Sequence, residues 1–592
     1  MRRSLPARFV LVLLAGMAVL LGTAGPASAH ATVVTSSPSD GARLEAAPDE
    51  VTVEFDESVS LGAGYARVLG ADGDRVDTGA ASVTDDLLTI PLRADLPDAS
   101  YVVTWRVVSA DSHPVSGAYA FVVGDGELVP TTEVEAGSDV DLVVGTLLPV
   151  ARWLGFGGIA LGLGVPVFLV LCWPAGWASP RARRLTLGGL GAVAGGAVLS
   201  FLLQGPYAAA TGVLGAVDPQ LLGTTASSAY GATLLVRVVL AGALAAVLLR
   251  GPLRAGTVGT PGLVAGGVLG AGLVLTTAAT GHPVAGALPG LAVAVTAVHV
   301  AAMTVWLGGL AVLLAAVLRP GVPGDELAAA LPRYSRLAAG SVAALVVTGV
   351  VQSVREVGSP EALVSTTYGW VLVAKLVLVL AVLAVAGVSR VWVQQRLGAP
   401  RPGRRTVVAH AFSATSDDLP GDGSDALAQE VDDAAAARTR AAVADVGPFR
   451  RSVLLEVAVG AVVLALSAVL VGTPPAKAAL AQPVDVTLPL MSATGTEGSV
   501  QLSLDPARPG PNVLHVYLFD EQGQLAQPQE LRVTLTEAAQ GIGPLAVDLQ
   551  PAGPGHSIGD AAIPTTGTWT VTVTVRLDEF TALTADTTFP VR

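Results

Sequence analysis

Residues 289–318 read PGLAVAVTAVHVAAMTVWLGGLAVLLAAVL, with no charged side chain from end to end. A helix needs about 20 predominantly apolar residues to cross a bilayer core, so this run predicts a membrane span. Comparable runs lie near 144–172, 185–204, 231–249, 262–280, 337–353, 368–394 and 452–473. Together they predict an eight-helix transmembrane bundle across 142–475. Composition agrees: 52% of residues are hydrophobic, 14% are charged and the mean hydropathy is +0.61, which argues against a soluble enzyme. The net charge is -13 and the basic residues fall in short clusters, so nucleic acid is not an expected partner, whereas the lipid bilayer is. The lone cysteine, Cys172, rules out an internal disulfide or CxxC motif.

The loops alternate in charge. Arg181, Arg183 and Arg184 follow the first run, Arg250 and Arg254 the third, Arg319, Arg333 and Arg336 the fifth, and Arg396, Arg401, Arg404 and Arg405 the seventh. The opposite loops are nearly free of basic residues, Arg355 excepted. The positive-inside rule then puts both chain ends outside the cytoplasmic membrane. The start agrees: Arg2, Arg3 and Arg8 precede an apolar stretch from Phe9 to Gly22, and Ala27-Ser28-Ala29 is an A-x-A cleavage site, so residues 1–29 read as a signal peptide. Cleavage leaves His30 as the first mature residue. Gly191 with Gly195, and Gly262 with Gly266, have the small-xxx-small spacing of helix contacts. Residues 397–450 read as a mostly disordered cytoplasmic loop.

The flanks are β-rich. In residues 30–125, Val51 to Phe55 alternates and Tyr101 to Val108 is a strong strand candidate; an acidic linker, 126–141, follows. Residues 480–592 carry further strand-like runs, Leu514 to Phe519 and Thr568 to Val575. The expected fold is multi-domain: an N-terminal β-sandwich, the eight-helix bundle and a C-terminal β-sandwich.

The chemistry starts with His30. A free N-terminal histidine offers its α-amine and its ring Nδ1 to one metal, a planar pair that suits Cu(II). Asp111 and His113 are two residues apart: either they share a face of an extended segment and can add a carboxylate and an imidazole, or they sit in a turn that Asp111 caps, with His113 exposed. Within the spans, His299 and Met303 are four apart on one helical face. They are either a soft-metal pair for Cu(I) or a histidine bonded between helices beside a packing methionine. His282, in Gly281-His-Pro283, is either a solvated loop histidine or a relay for copper moving inward. Met491, His515 and His556 are candidate soft-metal ligands in the last domain.

His30, Ser36-Ser-Pro38, Ser109-Ala-Asp-Ser-His-Pro-Val-Ser-Gly117 and Phe121-Val-Val resemble the copper-resistance CopC family. The resemblance implies a Cu(II) site at His30, Asp111 and His113. The mature first domain has no methionine, so the Met-rich Cu(I) site of some family members is not expected. The stretches His299 to Gly309, Tyr368 to Lys375, Arg450 to Glu456 and Val471-Gly-Thr-Pro-Pro475 resemble CopD, and the last domain resembles YtkA-like domains. A CopC domain fused ahead of CopD resembles the YcnJ-type copper transport proteins, which implies copper uptake across the cytoplasmic membrane and no enzymatic activity. Two other readings stay open: a membrane-anchored copper sensor or buffer, and a histidine-brace copper enzyme.

Overall fold

The computed structural model describes residues 31–591 apart from 32, 71, 125–139, 287, 320–321, 398–445, 480–483, 492–495, 506, 521–524, 554 and 578–580. The expected signal peptide, His30, most of the linker and nearly all of the expected cytoplasmic loop lie outside the described residues.

The first domain has strands β1 (Val33–Ser37), β2 (Arg43–Leu44), β3 (Glu50–Phe55), β4 (Val59–Gly70), β5 (Ser82–Thr84), β6 (Leu87–Pro91), β7 (Ala99–Ser109) and β8 (Pro114–Val123). They form two four-stranded sheets, β1-β3-β6-β5 and β2-β8-β7-β4. The alternation in β3 turns Val51, Val53 and Phe55 inward. They meet Trp105 and Tyr119 from the facing sheet; the Trp105 ring lies 6.4 Å from Phe55 and 5.9 Å from Tyr119, both edge-on. Strand β7 is buried on both faces, which explains its continuous apolar character. Its inward face is core, while Val102, with Ala120 and Val122 of β8, packs against Ala552 and Ile558 of the last domain.

The eight spans appear as α1 (Leu142–Leu171), α2 (Pro180–Ala209), α3 (Ala229–Arg250), α4 (Thr260–Ala278), α5 (Pro289–Val312, continued by a π turn to Val317), α6 (Gly324–Val357), α7 (Thr367–Leu397) and α8 (Val446–Leu470). Helix α6 is much longer than the apolar run at 337–353. Its first turns carry Asp325, Glu326, Arg333 and Arg336, so hydropathy registers only its second half. Helix α1 packs on α2, α5 and α8, and α5 packs on α6.

Glycine sets these contacts, at positions other than those the motif spacing suggests. Gly191 and Gly195 have open space where a side chain would be, and Gly262 and Gly266 meet only side chains at ordinary contact distance. The close approaches are elsewhere. A methyl group on Gly308 of α5 would overlap the Ala160 carbonyl oxygen of α1, and one on Gly164 would overlap that of Thr304. Gly158 and Gly189 play the same part between α1 and α2.

The last domain has β9 (Val484–Met491), β10 (Thr496–Asp505), β11 (Gly510–Phe519), β12 (Glu530–Glu537), β13 (Ile542–Gly553), β14 (His556–Ile563), β15 (Gly567–Arg576) and β16 (Ala582–Val591). They form one sheet, β16-β15-β12-β13-β14-β11-β10-β9, whose end strands approach each other, so the sandwich is nearly closed into a barrel around Trp569.

Gly308→Val is expected to lower the thermal midpoint of the detergent-solubilised chain by several degrees, since overpacking costs about 1–3 kcal/mol. Gly188→Ala, which meets nothing within 4 Å, is expected to leave it unchanged; equal midpoints for both would refute the close-packed glycine seam.

Candidate metal centre

The turn between β7 and β8 carries Asp111 and His113. It is not extended. Ser112 takes a left-handed φ of +75°, the Ser112 N–H donates to the Ser109 carbonyl at 2.9 Å, and the Ser109 N–H donates to that of His113 at 2.9 Å. This reversal, rather than strand alternation, brings Asp111 and His113 together. Asp111 Oδ1 accepts from the Ser109 hydroxyl at 2.5 Å and the His113 N–H at 3.2 Å, and lies 2.9 Å from His113 Nδ1.

A third ligand-bearing side chain comes from the membrane domain. His282, in the loop between α4 and α5, places Nδ1 3.3 Å from Asp111 Oδ2. Its ring stacks on that of His113 at 5.4 Å with 9° between planes. It is 6% exposed, so the solvated-loop reading is overturned: Gly281, at φ +74°, turns the loop so that the imidazole sits under the first domain. One donor atom from each of Asp111, His113 and His282 lies within 4.8 Å of the others, and all three residues are buried. His30, the other expected ligand, lies outside the described residues.

The two imidazoles have opposite electrostatics. Burial holds His113 below its ordinary pKa, outweighing Asp111. Burial also pushes His282 down, but its hydrogen bond to Asp111 and the negative charges of Glu356 and Asp111 leave it raised. A neutral imidazole, a carboxylate and an imidazole whose proton a metal can displace form an N/O donor set suited to Cu(II). The Leu470 carbonyl, 3.3 Å from His282 Nε2, can fix the tautomer that leaves Nδ1 free to ligate.

The cluster exists only because the first domain is docked. The Arg106 guanidinium donates from Nε to the Ala208 carbonyl at 2.6 Å and from Nη2 to that of Tyr207 at 3.3 Å, placing a cation on the C-terminal end of α2. Gln204 Nε2 of the same helix donates to the Ser112 carbonyl at 3.0 Å. Sequence reasoning missed Arg106, although a lone arginine inside the apolar strand Tyr101 to Val108 was a signal. It missed Gln204 and Glu57 because nothing local marks them.

The other candidate residues fall in two places. His299 Nδ1 is 2.8 Å from the Thr348 hydroxyl of α6, and Met303 is buried in the bundle core. In the last domain His515 Nδ1 is 3.1 Å from His556 Nε2, and His515 Nε2 is 3.0 Å from Asp40 of the first domain. Burial, then the charge of His515, pushes His556 down to about 3. Met491 does not join them. It is 58% exposed and pairs with Thr496, whereas His515 pairs with Ser503 on the same strand, a separation of roughly 20 Å at strand rise.

Fold and site define a class: a multi-pass membrane protein on which a β domain docks so that both parts build one buried Asp/His cluster. The CopC domain family model matches residues 33–124 and that of copper resistance protein D, CopD, matches residues 328–415. The chain is 25% identical to the copper transport protein CutJ of Bacillus subtilis (strain 168) over 504 residues, 84% of this chain and 83% of that one. It is 34% identical to protein YobA of Escherichia coli (strain K12) over 16% of this chain and 79% of that one. It is 30% identical to copper resistance protein C of Escherichia coli over 18% of this chain and 90% of that one. The chain belongs to the CopC–CopD fusion family of copper transport and resistance proteins.

Glu57, in the turn after β3, lies at the same domain boundary. Burial first, then the charges of Asp111 and Asp56, push it up to about 8, against a backbone hydrogen bond from Gly286 and the charge of Lys477. A raised carboxyl contributes stability that is complete below its unfolded value of 4.5 and is lost as pH rises through its folded value near 8. Docking of the first domain is therefore expected to weaken between those limits, read as a falling thermal midpoint of the full chain. Glu57→Gln is expected to flatten that slope; an unaltered slope would refute the role given to Glu57.

Proposed function

We propose that the protein captures Cu(II) outside the cell at His30, Asp111 and His113 and passes copper inward through the membrane domain, with His282 as the first membrane ligand. The observation that carries this is the buried cluster in which His282, from a membrane loop, stands beside Asp111 and His113 from the docked domain. A ligand set shared between the two parts lets a metal change partners without crossing bulk water.

A polar line leads inward from that point. Thr348, Gln352 and Glu356 are four apart on α6 and so share one face. The negative charge of Glu356 acts on His282, Gln352 Nε2 donates to the Thr296 hydroxyl of α5 at 3.2 Å, and Thr348 meets His299. Ionisable side chains within spans, here His299 and Glu356, are rare and are the natural candidates for an ion pathway. Met303, one turn beyond His299 on α5, adds a thioether suited to copper after reduction to Cu(I). The charge pattern of the loops supports an extracytoplasmic first and last domain, and uptake is the direction implied by the fused architecture. In the last domain, His515 and His556 are the remaining candidates for a second metal position, in keeping with its YtkA-like sequence.

Full-length protein in nanodiscs, titrated with Cu(II) and read by EPR, is expected to give a nitrogen-rich tetragonal signal. Affinity should fall about 10–100-fold in His282→Ala and further in Asp111→Asn. In proteoliposomes, His299→Ala is expected to reduce copper flux while leaving EPR binding intact. Tight binding with no flux in the parent protein would sink the transport reading in favour of a buffer or sensor. An unchanged signal in His282→Ala would remove the membrane ligand from the site.

A further inference from the structure

Asp111 also lines a cavity of about 40 Å³ between α1, α2, α3 and α4. Two guanidinium groups line it, Arg152 of α1 and Arg237 of α3, together with Ser200, Tyr230 and Thr277. Their pairing is incomplete. Arg237 Nη2 donates to the Thr276 carbonyl at 2.6 Å, but its Nε is buried with no partner. Arg152 makes no side-chain hydrogen bond or ion pair among the described residues, and its guanidinium lies so close to Gly472 that a methyl group there would overlap it. The one carboxylate on the wall, Asp111, is engaged by His113 and His282.

Two cations in the membrane domain, facing one narrow, partly open space whose single carboxylate is engaged by two imidazoles, carry a desolvation cost. Arginine groups in that state are suited to an anion, which accepts charge-assisted hydrogen bonds from both. The space is on the scale of a few water-sized spheres, each about 10–15 Å³ on this measure, so it fits a monatomic anion and little more. Phe156, Ile159 and Ala197 supply an apolar remainder to the wall, which favours a weakly hydrated ion. We propose that this cavity is a halide-binding site, chloride being the natural occupant, held by Arg152 and Arg237 with hydroxyl groups from the surrounding helices.

The site does not depend on copper. With chloride in place, the positive field that the two arginines direct at Asp111 is offset, so halide and cation occupancy should favour each other; that consequence alone rests on the copper reading.

The test uses the full chain, stripped of metal with EDTA, in detergent with gluconate as the counter-ion. Chloride-35 NMR should show saturable line broadening that iodide and bromide displace, and chloride should raise the thermal midpoint by several degrees. Both effects should be lost in Arg152→Gln and Arg237→Gln, while Arg254→Gln, away from the cavity, keeps them. Absence of saturable, iodide-displaceable broadening in the parent protein would overturn the proposal whether or not the variants fold, as would its persistence in both cavity variants. Because no copper is present, a negative result leaves the copper reading standing, and failure of copper binding leaves this one standing.

Discussion

The structure hangs on one buried carboxylate. Asp111 stands between two imidazoles that belong to different parts of the chain, His113 beside it and His282 in a membrane loop about 170 residues later. A carboxylate removed from water must be paired, and undocking would strip Asp111 of one of its two imidazoles. The fixed turn at Ser112, held by Gln204 from α2, aims Asp111 at the membrane loop. Arg106 extends the same logic by exchanging water for the unpaired carbonyls at the end of α2. Docking and the Asp/His cluster are thus one arrangement, which is why the cluster can be divided between a β domain and a helical bundle and still be compact.

The last domain bears on this from behind. Its Ala552 and Ile558 cover the outer face of β7 and β8, and Arg43 donates to the Ala552 carbonyl at 2.9 Å. His515 meets Asp40 across the same boundary. The strand that ends at the Asp111 turn is therefore held on both faces, by its own core and by a foreign sheet. A turn at the end of a doubly buried strand moves little, which keeps the carboxylate in register with His282. This gives the last domain a mechanical part in the centre that does not require it to hold metal itself.

The spans were legible because hydropathy is a property of contiguous residues; all eight could be located from the sequence, and only the charged first turns of α6 escaped. Asp111 and His113 could be picked out because they sit in one short motif; of the two arrangements open to it the chain takes the turn, but with His113 buried rather than exposed, because another part of the chain covers it. His282 was visible as a residue and misjudged in its surroundings: Gly-His-Pro in a loop says solvent until another domain is known to cover it. The glycine seam was misplaced for a related reason. Spacing of four identifies a helical face, but which face meets a neighbour is decided by the fold, and here Gly164 and Gly308 meet while Gly191 and Gly195 do not. What was missed is consistently what lies between segments distant in sequence.

The same geometry makes the two sides of Asp111 unequal. On one side are Arg152 and Arg237, both cationic and without carboxylate partners among the described residues. On the other are Glu356, Glu57 and Asp56, with Arg355 and Lys477 among them. In a medium of low effective dielectric, such asymmetry acts over several ångströms with little screening. A cation at Asp111 is repelled by the first group, whereas the second, with Glu57 held in its neutral form by burial and Arg355 and Lys477 set against Glu356 and Asp56, is close to neutral. An anion between the arginines would soften that repulsion. The electrostatic asymmetry around Asp111 is thus set by the two arginines, and so by the packing of α1 and α3.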